Sequence, residues 1–206
     1  MLKIWGRKNS INVQKVLWAC GELGLAVDRI DAGMAFGVNN TPEFKIMNPN
    51  GLVPVIEHEG LILWESHAIV RYLATLDSQG ILMPQALPTR ADADRWMEWY
   101  STTLWPNLRP VFWNLVRTAP EARDMALVNT SLQHLTNNFK IVDQLLASRD
   151  FLAGSRFSMA DIPMGVAAFR WFEMPIDRPD LAHLNAWYQR LSERPAFKQH
   201  CQIPLT

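Results

Sequence analysis

Two adjacent polar residues, Glu65 and Ser66, stand at the start of a segment with helical spacing that runs to Leu76. The free N–H groups at a helix N-terminus favour an anion, and a hydroxyl among them adds a donor suited to a carboxylate. The neighbouring carboxylate of Glu65 suits an ammonium group. Both residues would be engaged by an amine and a carboxylate on one carbon, as in an α-amino acid. Taken alone, Ser66 is more typical of a simple N-cap.

A second feature is the Val53–Pro54 step inside a segment that otherwise has the composition of a strand. Proline cannot donate to a sheet ladder, so Pro54 indicates either an edge strand or a cis peptide bond. A cis bond would turn the N–H and C=O groups of Val53 outward, where an extended peptide ligand could pair with them. Only about 5–6% of X–Pro bonds are cis, so the local sequence favours the edge strand.

A third feature is the group Asn9, Ser10 and Asn12, which follows the first predicted strand and opens the first predicted helix. These residues supply hydroxyl and amide donors where the helix dipole favours negative charge. A ligand thiol placed here would be held as its reactive thiolate. Considered in isolation, Ser10 is again better explained by helix capping alone.

The elements that must position these residues follow from hydrophobic periodicity. Residues 2–6, 26–32, 53–58 and 61–63 predict strands, and residues 10–24, 41–47 and 66–76 predict helices. The order β-α-β-α-β-β-α predicts a small mixed sheet flanked by helices. Residues 1–78 therefore form a predicted α/β domain, and residues 79–87, with Gly and Pro but no periodicity, form a predicted linker.

Residues 88–206 carry helical apolar patterns throughout and predict an all-helical second domain. Pro106 and Pro110 lie inside one of these patterns, so that helix is expected to bend or break there. Ser158 and Asp161 precede an apolar run with the spacing of a capping box, which is a folding role.

Composition excludes several classes of function. The formal net charge is zero and the pI is about 7.0, so neither nucleic acid nor an anionic membrane is an expected partner. No apolar run reaches the ~18–20 residues that span a bilayer, and the first ten residues lack a signal-peptide core, which predicts a cytoplasmic protein. Cys20 and Cys201 have no metal-ligand spacing, so free thiols and no metal are expected.

Four segments together resemble the cytosolic glutathione transferase family over nearly the whole chain. They are SINVQKVL after the first strand, NPNGLVPVI, LWESHAIVRYL and FLAGSRFSMADIPMG. The likeness is closest to bacterial members of theta-like or nu-like type, which use a Ser, Thr or Asn near the first helix and include haloacid- and iodoacetamide-active enzymes. The resemblance implies a thioredoxin-like N-terminal domain, an all-helical C-terminal domain, glutathione as co-substrate and a homodimer.

The resemblance also assigns roles to the residues above. Val53 and a cis Pro54 would pair with the cysteinyl part of glutathione, and Glu65 and Ser66 would hold the γ-glutamyl amine and carboxylate. Ser10 would donate to the thiolate, with Asn12 as the competing candidate. Many relatives place Lys or Gln before the Val-Pro step to reach the glycyl carboxylate, but this chain has Leu52. The residues open for that role are Asn39, Asn40 and Lys45.

The second substrate, a small electrophile, is expected in a pocket formed between the domains. The residues predicted to line it are Trp5, Arg7, Trp105, Arg109, Trp113 and Arg117. A guanidinium on an apolar, Trp-rich helix is costly without a partner. Arg109 or Arg117 would therefore meet either an anionic electrophile or, as the simpler alternative, an Asp or Glu in a structural ion pair.

The predicted activity is addition of the glutathione thiolate to a small electrophile, or displacement of halide from one. Two alternatives stay open at this point. One is a glutathione-dependent disulfide reductase or peroxidase that uses the same thiolate site. The other is a non-enzymatic binding protein that keeps the transferase fold, which the intact Glu65–Ser66 pair argues against.

Overall fold

A computed structural model describes all 206 residues, and the chain divides into two compact units. The first unit comprises Met1–Met83 with Ala196–Ile203, and the second comprises Pro84–Pro195 with Pro204–Thr206. A late segment of the chain thus belongs to the first unit, where the ring of Phe197 lies 4.6 Å from that of Trp18 between centroids.

A four-stranded mixed sheet forms the first unit. Its strands are β1 (Leu2–Trp5), β2 (Val27–Ile30), β3 (Val55–His58) and β4 (Leu61–Trp64), in the spatial order β2-β1-β3-β4. Strand β1 is parallel to β2 and antiparallel to β3, which pairs with β4 as a hairpin. The element order, with α1 (Ile11–Glu22), α2 (Pro42–Met47) and α3 (Ser66–Thr75), confirms the predicted βαβαββα arrangement.

Strand β3 begins two residues later than predicted. Val55 is its first residue and pairs with Trp5, so Pro54 lies just before the ladder instead of inside it. A proline has no N–H to donate, and the ladder accordingly starts after it. The Val53–Pro54 peptide bond is cis. At the other end of β3, Glu59 and Gly60 both have positive φ, which is the conformation of the predicted two-residue hairpin turn.

The helices of the first unit begin at the residues that the sequence indicates. Helix α2 has Pro42 at its first position, and the Phe44 N–H donates to the Thr41 side chain at 3.2 Å, as expected for an N-cap. Two short 3₁₀ turns, Met34–Phe36 and Val38–Asn40, were not predicted and lie between β2 and α2. They have no apolar period from which they could be recognised.

The second unit is all-helical, as predicted. Its helices are α4 (Leu87–Trp99), α5 (Trp105–Phe112), α6 (Met125–Leu146), α7 (Asp161–Glu173) and α8 (Ala182–Ser192), and a short α9 (Pro195–His200) follows them. No helix combines the length and the apolar character needed to cross a lipid bilayer.

Of the bend or break expected at the two prolines, the break does not occur. The chain stays helical from α4 to Arg117, and π-helical segments at Tyr100–Leu104 and Trp113–Arg117 flank α5. A π turn redistributes the backbone hydrogen bonds that prolines cannot make. In the same region, the side-chain amides of Asn107 and Asn138 donate to the Thr103 carbonyl at 2.9 and 3.1 Å.

Asp161 anchors the start of α7 and is fully buried. Its carboxylate accepts from the N–H groups of Leu152 and Ser158, from the Ser158 hydroxyl and from the Trp187 indole N–H, at 2.9 to 3.3 Å. The Ser158–Asp161 pair thus makes the reach-back half of the predicted capping box. Burial raises the pKa of Asp161 to about 6 against these hydrogen bonds.

This raised pKa predicts an acid-side pH dependence of stability. Between pH 3.8, the ordinary pKa, and about 6 the folded protein keeps a proton on Asp161 that the unfolded chain has released. The free energy of unfolding should therefore fall as pH rises through this window, by on the order of 3 kcal/mol from this group. Urea unfolding followed by circular dichroism should show that fall in the wild type and its loss in Asp161→Asn.

Ser158→Ala is the matched control, because it removes a partner hydroxyl while Asp161 still titrates. It should lower stability at every pH and keep a slope of the same sign. An equal slope in the wild type and in Asp161→Asn would contradict the assignment.

Candidate active site

Ser10 occupies the N-cap position of α1 without acting as a cap. Its backbone is extended, the whole residue is only 6% exposed, and its side chain makes no capping hydrogen bond. The backbone groups of Ser10 are satisfied instead, by the Arg7 carbonyl at 3.2 Å and the Gln14 N–H at 2.9 Å. The hydroxyl is thus available to donate to a ligand at the positive end of the helix.

Asn12, in the first turn of α1, has its amide orientation fixed by neighbouring donors. Its Oδ1 accepts from Lys15 Nζ at 3.0 Å and from the Ser66 hydroxyl at 3.4 Å. An ammonium and a hydroxyl on the oxygen leave the amide NH₂ as the end that can serve a ligand. Asn12 therefore connects the start of α1 to the start of α3.

Glu65 has an unusual backbone at the start of α3. Its φ of 70° and ψ of 111° lie outside the regions that residues with a side chain ordinarily adopt. Its carboxylate is exposed and makes no capping hydrogen bond. Strain of this kind costs about 1–3 kcal/mol and clusters at ligand sites, so it points to a function for Glu65. The next residue, Ser66, is buried and places its hydroxyl beside Asn12.

Val53 presents unpaired backbone at the edge of the first unit. Neither its N–H nor its C=O takes part in a backbone hydrogen bond within the chain. Its side chain packs on the core cluster of Ala32, Phe44 and Val55. A fixed residue with a free donor and acceptor can pair with an extended peptide.

The three residues proposed for the glycyl carboxylate lie in different surroundings. Asn39 donates from Nδ2 to the Gly51 carbonyl at 2.7 Å and thereby holds the loop before Leu52. Lys45 is exposed, and its Cε would lie 3.8 Å from a β-carbon built on Gly51. Asn40 is exposed at the end of a 3₁₀ turn. Lys45 is thus the one cation of the three, and it stands beside the loop that carries Leu52.

The pocket residues predicted in the first unit pack beneath its loops. Trp5 lies on β1 against the core cluster of Ala32, Phe44 and Val55. Arg7 approaches Gly33 closely: a β-carbon there would lie 2.9 Å from Arg7 Nη1.

The pocket residues predicted in the second unit lie along α5 and the π segment after it. Trp105 stacks on Tyr100 with centroids 6.3 Å apart. The guanidinium carbons of Arg109 and Arg117 lie 6.0 and 5.0 Å from the Trp113 ring centroid. Arg117 also donates from Nε and Nη2 to a backbone oxygen of the last residue, Thr206, at 3.0 and 2.9 Å, and burial lowers its pKa.

Neither guanidinium forms an ion pair with an Asp or Glu side chain. Both contact aromatic faces, which attract cations, and Arg117 also contacts a backbone oxygen of the last residue, Thr206.

Sequence reasoning missed two residues of the site. Lys15 is only 2% exposed and contacts Asn12 and His67, whose Nε2 lies 3.1 Å from Lys15 Nζ. His67 is likewise buried, at 8% exposure. The signal for Lys15 was its position three residues after Asn12 on a helix whose neighbouring positions are apolar.

A mixed four-stranded sheet in βαβαββα order, followed by an all-helical unit, defines a thioredoxin-like unit joined to a helical one. Models of the glutathione S-transferase N-terminal and C-terminal domains match residues 1–75 and 104–195. The chain therefore belongs to the glutathione S-transferase family.

Individual relatives match over the whole chain. Glutathione S-transferase GstB of Escherichia coli is 40% identical, and the match covers 100% of this chain and 100% of the relative. Glutathione S-transferase 3 of Zea mays is 32% identical over 99% of this chain and 95% of its own. Among solved structures, the theta class enzyme of Xanthomonas axonopodis pv. citri with glutathione bound is 46% identical, with a TM-score of 0.96 over 100% of this chain and 99% of its own.

The strained backbone of Glu65 predicts that a residue without this strain at position 65 would make the protein more stable. Glycine adopts positive φ without penalty, so Glu65→Gly should raise the free energy of unfolding by about 1 kcal/mol after its own entropy cost. Chemical denaturation is the measurement. Glu65→Gln is the matched control, because it removes the charge and keeps the strained backbone, and its stability should stay near that of the wild type. A Gly variant no more stable than the Gln variant would show that the backbone is relaxed.

Proposed function

We propose that this protein binds glutathione at the edge of its first unit, stabilises the thiolate, and adds it to a small electrophile or displaces halide from one. The observation that carries the proposal is the meeting of Asn12 and Ser66 across the starts of α1 and α3, beside the uncommitted hydroxyl of Ser10. The bound glutathione of the theta class relative, at 46% identity, supports the same ligand for this chain.

The geometry supports one role for each part of the tripeptide. Val53 offers its free N–H and C=O groups to the cysteinyl residue, next to cis Pro54. Ser66 and the N-terminus of α3 suit the γ-glutamyl carboxylate, and the exposed Glu65 carboxylate suits the ammonium group. Lys45 is the proposed partner of the glycyl carboxylate, since the amide of Asn39 already serves Gly51.

Ser10 is the proposed donor to the thiolate. Its hydroxyl has no capping partner, whereas the Asn12 oxygen is held by two donors and only its NH₂ group is available. A thiol with a pKa of about 8.5 is a few per cent ionised at pH 7, and lowering the pKa by about 2 makes it mostly thiolate.

Lowering the thiol pKa has a limited effect on rate. Intrinsic nucleophilicity falls by roughly ten-fold over the same shift for a Brønsted slope near 0.45, so the net gain is only a few-fold. A larger acceleration requires that the electrophile be held against the sulfur. Selection of the second substrate therefore matters more to catalysis than further activation of the thiol.

The second substrate is proposed to contact Trp5, Arg7 and the residues of α5 and its following π segment. In the second unit, Arg109 has an aromatic neighbour and no Asp or Glu partner, whereas Arg117 also donates to a backbone oxygen of Thr206. This favours an anionic electrophile, such as a small haloacid or a carboxylated acceptor. A homodimer and a cytoplasmic location are part of the same proposal and follow from the family.

A glutathione-affinity column followed by turnover assays tests the proposed function. At fixed glutathione, the protein is offered a haloarene, iodoacetamide, a small haloacid and a mixed disulfide. We expect binding to the column and formation of thioether products with the halogenated substrates. Turnover of the mixed disulfide alone would replace the transferase assignment with disulfide reduction, and binding without any turnover would indicate a non-enzymatic binding protein.

The roles of Ser10 and Asn12 predict different effects on the bound thiol. Ser10→Ala removes the donor to the thiolate and should raise the pKa of bound glutathione by about 1 or more, since a hydrogen bond to the charged form is lost. Ultraviolet absorbance of the thiolate, titrated with pH at saturating glutathione, measures it. Ser10→Thr keeps a hydroxyl and should stay close to the wild type. If Asn12→Ala alone raised the pKa, the two roles would be reversed.

A further inference from the structure

The most unusual buried group near the proposed glutathione site is the ammonium of Lys15. It lies in the interior of α1 at 2% exposure, where a charged side chain is costly unless its hydrogen bonds are satisfied. Two of its contacts are neutral groups at the helix starts, Asn12 Oδ1 at 3.0 Å and His67 Nε2 at 3.1 Å. No step of the proposed reaction uses Lys15 directly, so its burial calls for another explanation.

Lys15 determines which end of the Asn12 amide is offered to a ligand. An ammonium can only donate, so it selects the amide oxygen, and the Ser66 hydroxyl approaches that same oxygen. A rotated amide would place its NH₂ group against the ammonium and lose the contact with Lys15. With Lys15 in place, the NH₂ group of Asn12 is therefore the available end.

Lys15 also joins the first turns of α1 and α3. Because it donates, His67 Nε2 must accept, which places the imidazole proton on Nδ1. His67 directly follows Ser66 in the first turn of α3. The ammonium thus ties Asn12 of one helix start to the residue beside Ser66 of the other.

The contact between Ser66 and Asn12 is long, at 3.4 Å, and is correspondingly weak. A carboxylate arriving at the N-terminus of α3 would be a stronger acceptor for the Ser66 hydroxyl. The hydroxyl could then turn to the carboxylate while Lys15 keeps Asn12 in place. The ammonium charge, within two hydrogen-bond lengths of Ser66, attracts the same carboxylate in a poorly solvated setting.

We propose that Lys15 is a positioning residue for glutathione: it orients Asn12 and the start of α3 so that a carboxylate of the γ-glutamyl group is bound selectively. This inference rests on the proposed function and adds a residue that orients the carboxylate site without contacting the ligand. The role is electrostatic and geometric, and Lys15 itself does not contact the ligand.

The test compares two ligands on the intact protein by isothermal titration calorimetry. One is glutathione, and the other is the analogue 4-aminobutanoyl-cysteinylglycine, which lacks only the γ-glutamyl carboxylate. Lys15→Met should weaken glutathione binding about ten-fold and change the binding of the analogue less than two-fold. In turnover assays the KM for glutathione should rise with little change in kcat. Lys15→Arg, which keeps a charged donor, should recover most of the affinity.

Gln14→Leu is the matched control, because Gln14 is also buried in α1, at 1% exposure, and has no role in the proposed site. Any effect of general disturbance in this helix should be equal for the two ligands. Equal losses in Lys15→Met would likewise reduce Lys15 to a structural role and overturn the inference.

His67 provides a second route if Lys15→Met fails to fold. His67→Gln retains an acceptor for the ammonium, whereas His67→Leu removes it, so only the Leu variant should lose affinity selectively for glutathione. Two His67 variants with the same ratio of affinities would refute the proposed link. A wild type that binds neither ligand would refute the proposed function itself, which distinguishes that failure from an error about Lys15.

Discussion

The chemistry of the first unit depends on two helix starts that meet at one place. Each N-terminus leaves N–H groups without intrahelical partners and carries a partial positive charge. Asn12 in the first turn of α1 accepts from Ser66 in the first turn of α3, so the two ends are held by side chains and not only by packing. Two partial positive charges in proximity oppose each other, and an anionic ligand relieves that opposition. An apolar ligand of the same shape would not.

The segment that precedes β3 contributes unpaired backbone to the first unit. Strand β3 starts at Val55, directly after cis Pro54, so Val53 remains outside the ladder although its side chain is anchored in the core. An anchored residue with free N–H and C=O groups loses little entropy when a peptide pairs with it. Under the proposed function, the helix starts would select for charge and the backbone of Val53 would pair with the main chain of an extended anionic peptide.

Much of this arrangement could be predicted from the sequence because it is local. The period-2 and period-3.6 patterns determine the order of strands and helices, and the Glu59–Gly60 turn and the Pro42 helix start depend on residues a few positions apart. The start of β3 was predicted two residues early, because hydrophobicity does not report where a ladder begins. Of the bend or break expected at Pro106 and Pro110, the break does not occur, for a related reason. Pattern analysis does not register π turns, which redistribute the backbone hydrogen bonds near a proline.

In the candidate site too, local features could be predicted from the sequence and long-range contacts could not. Its residues at helix starts, Ser10 and Ser66, were predicted from sequence, whereas the contact between Asn12 and Ser66 spans 54 positions and required the structure. Lys15 is the clearest case. A lysine on a helix is ordinarily a solvated surface residue, and only the packing of α1 shows that it is buried against His67.

The division of labour between the units follows from the energetics of the thiolate. Stabilising it is self-limiting, because each unit of pKa that increases the thiolate fraction also lowers its nucleophilicity. Once the thiol is mostly ionised at neutral pH, further stabilisation slows the reaction. Under the proposed function, rate is gained mainly by holding the second substrate, and α5 with its flanking π segments offers aromatic faces and the guanidinium of Arg109 for that purpose. The first unit would then set the nucleophile, and side chains of the second would select the electrophile.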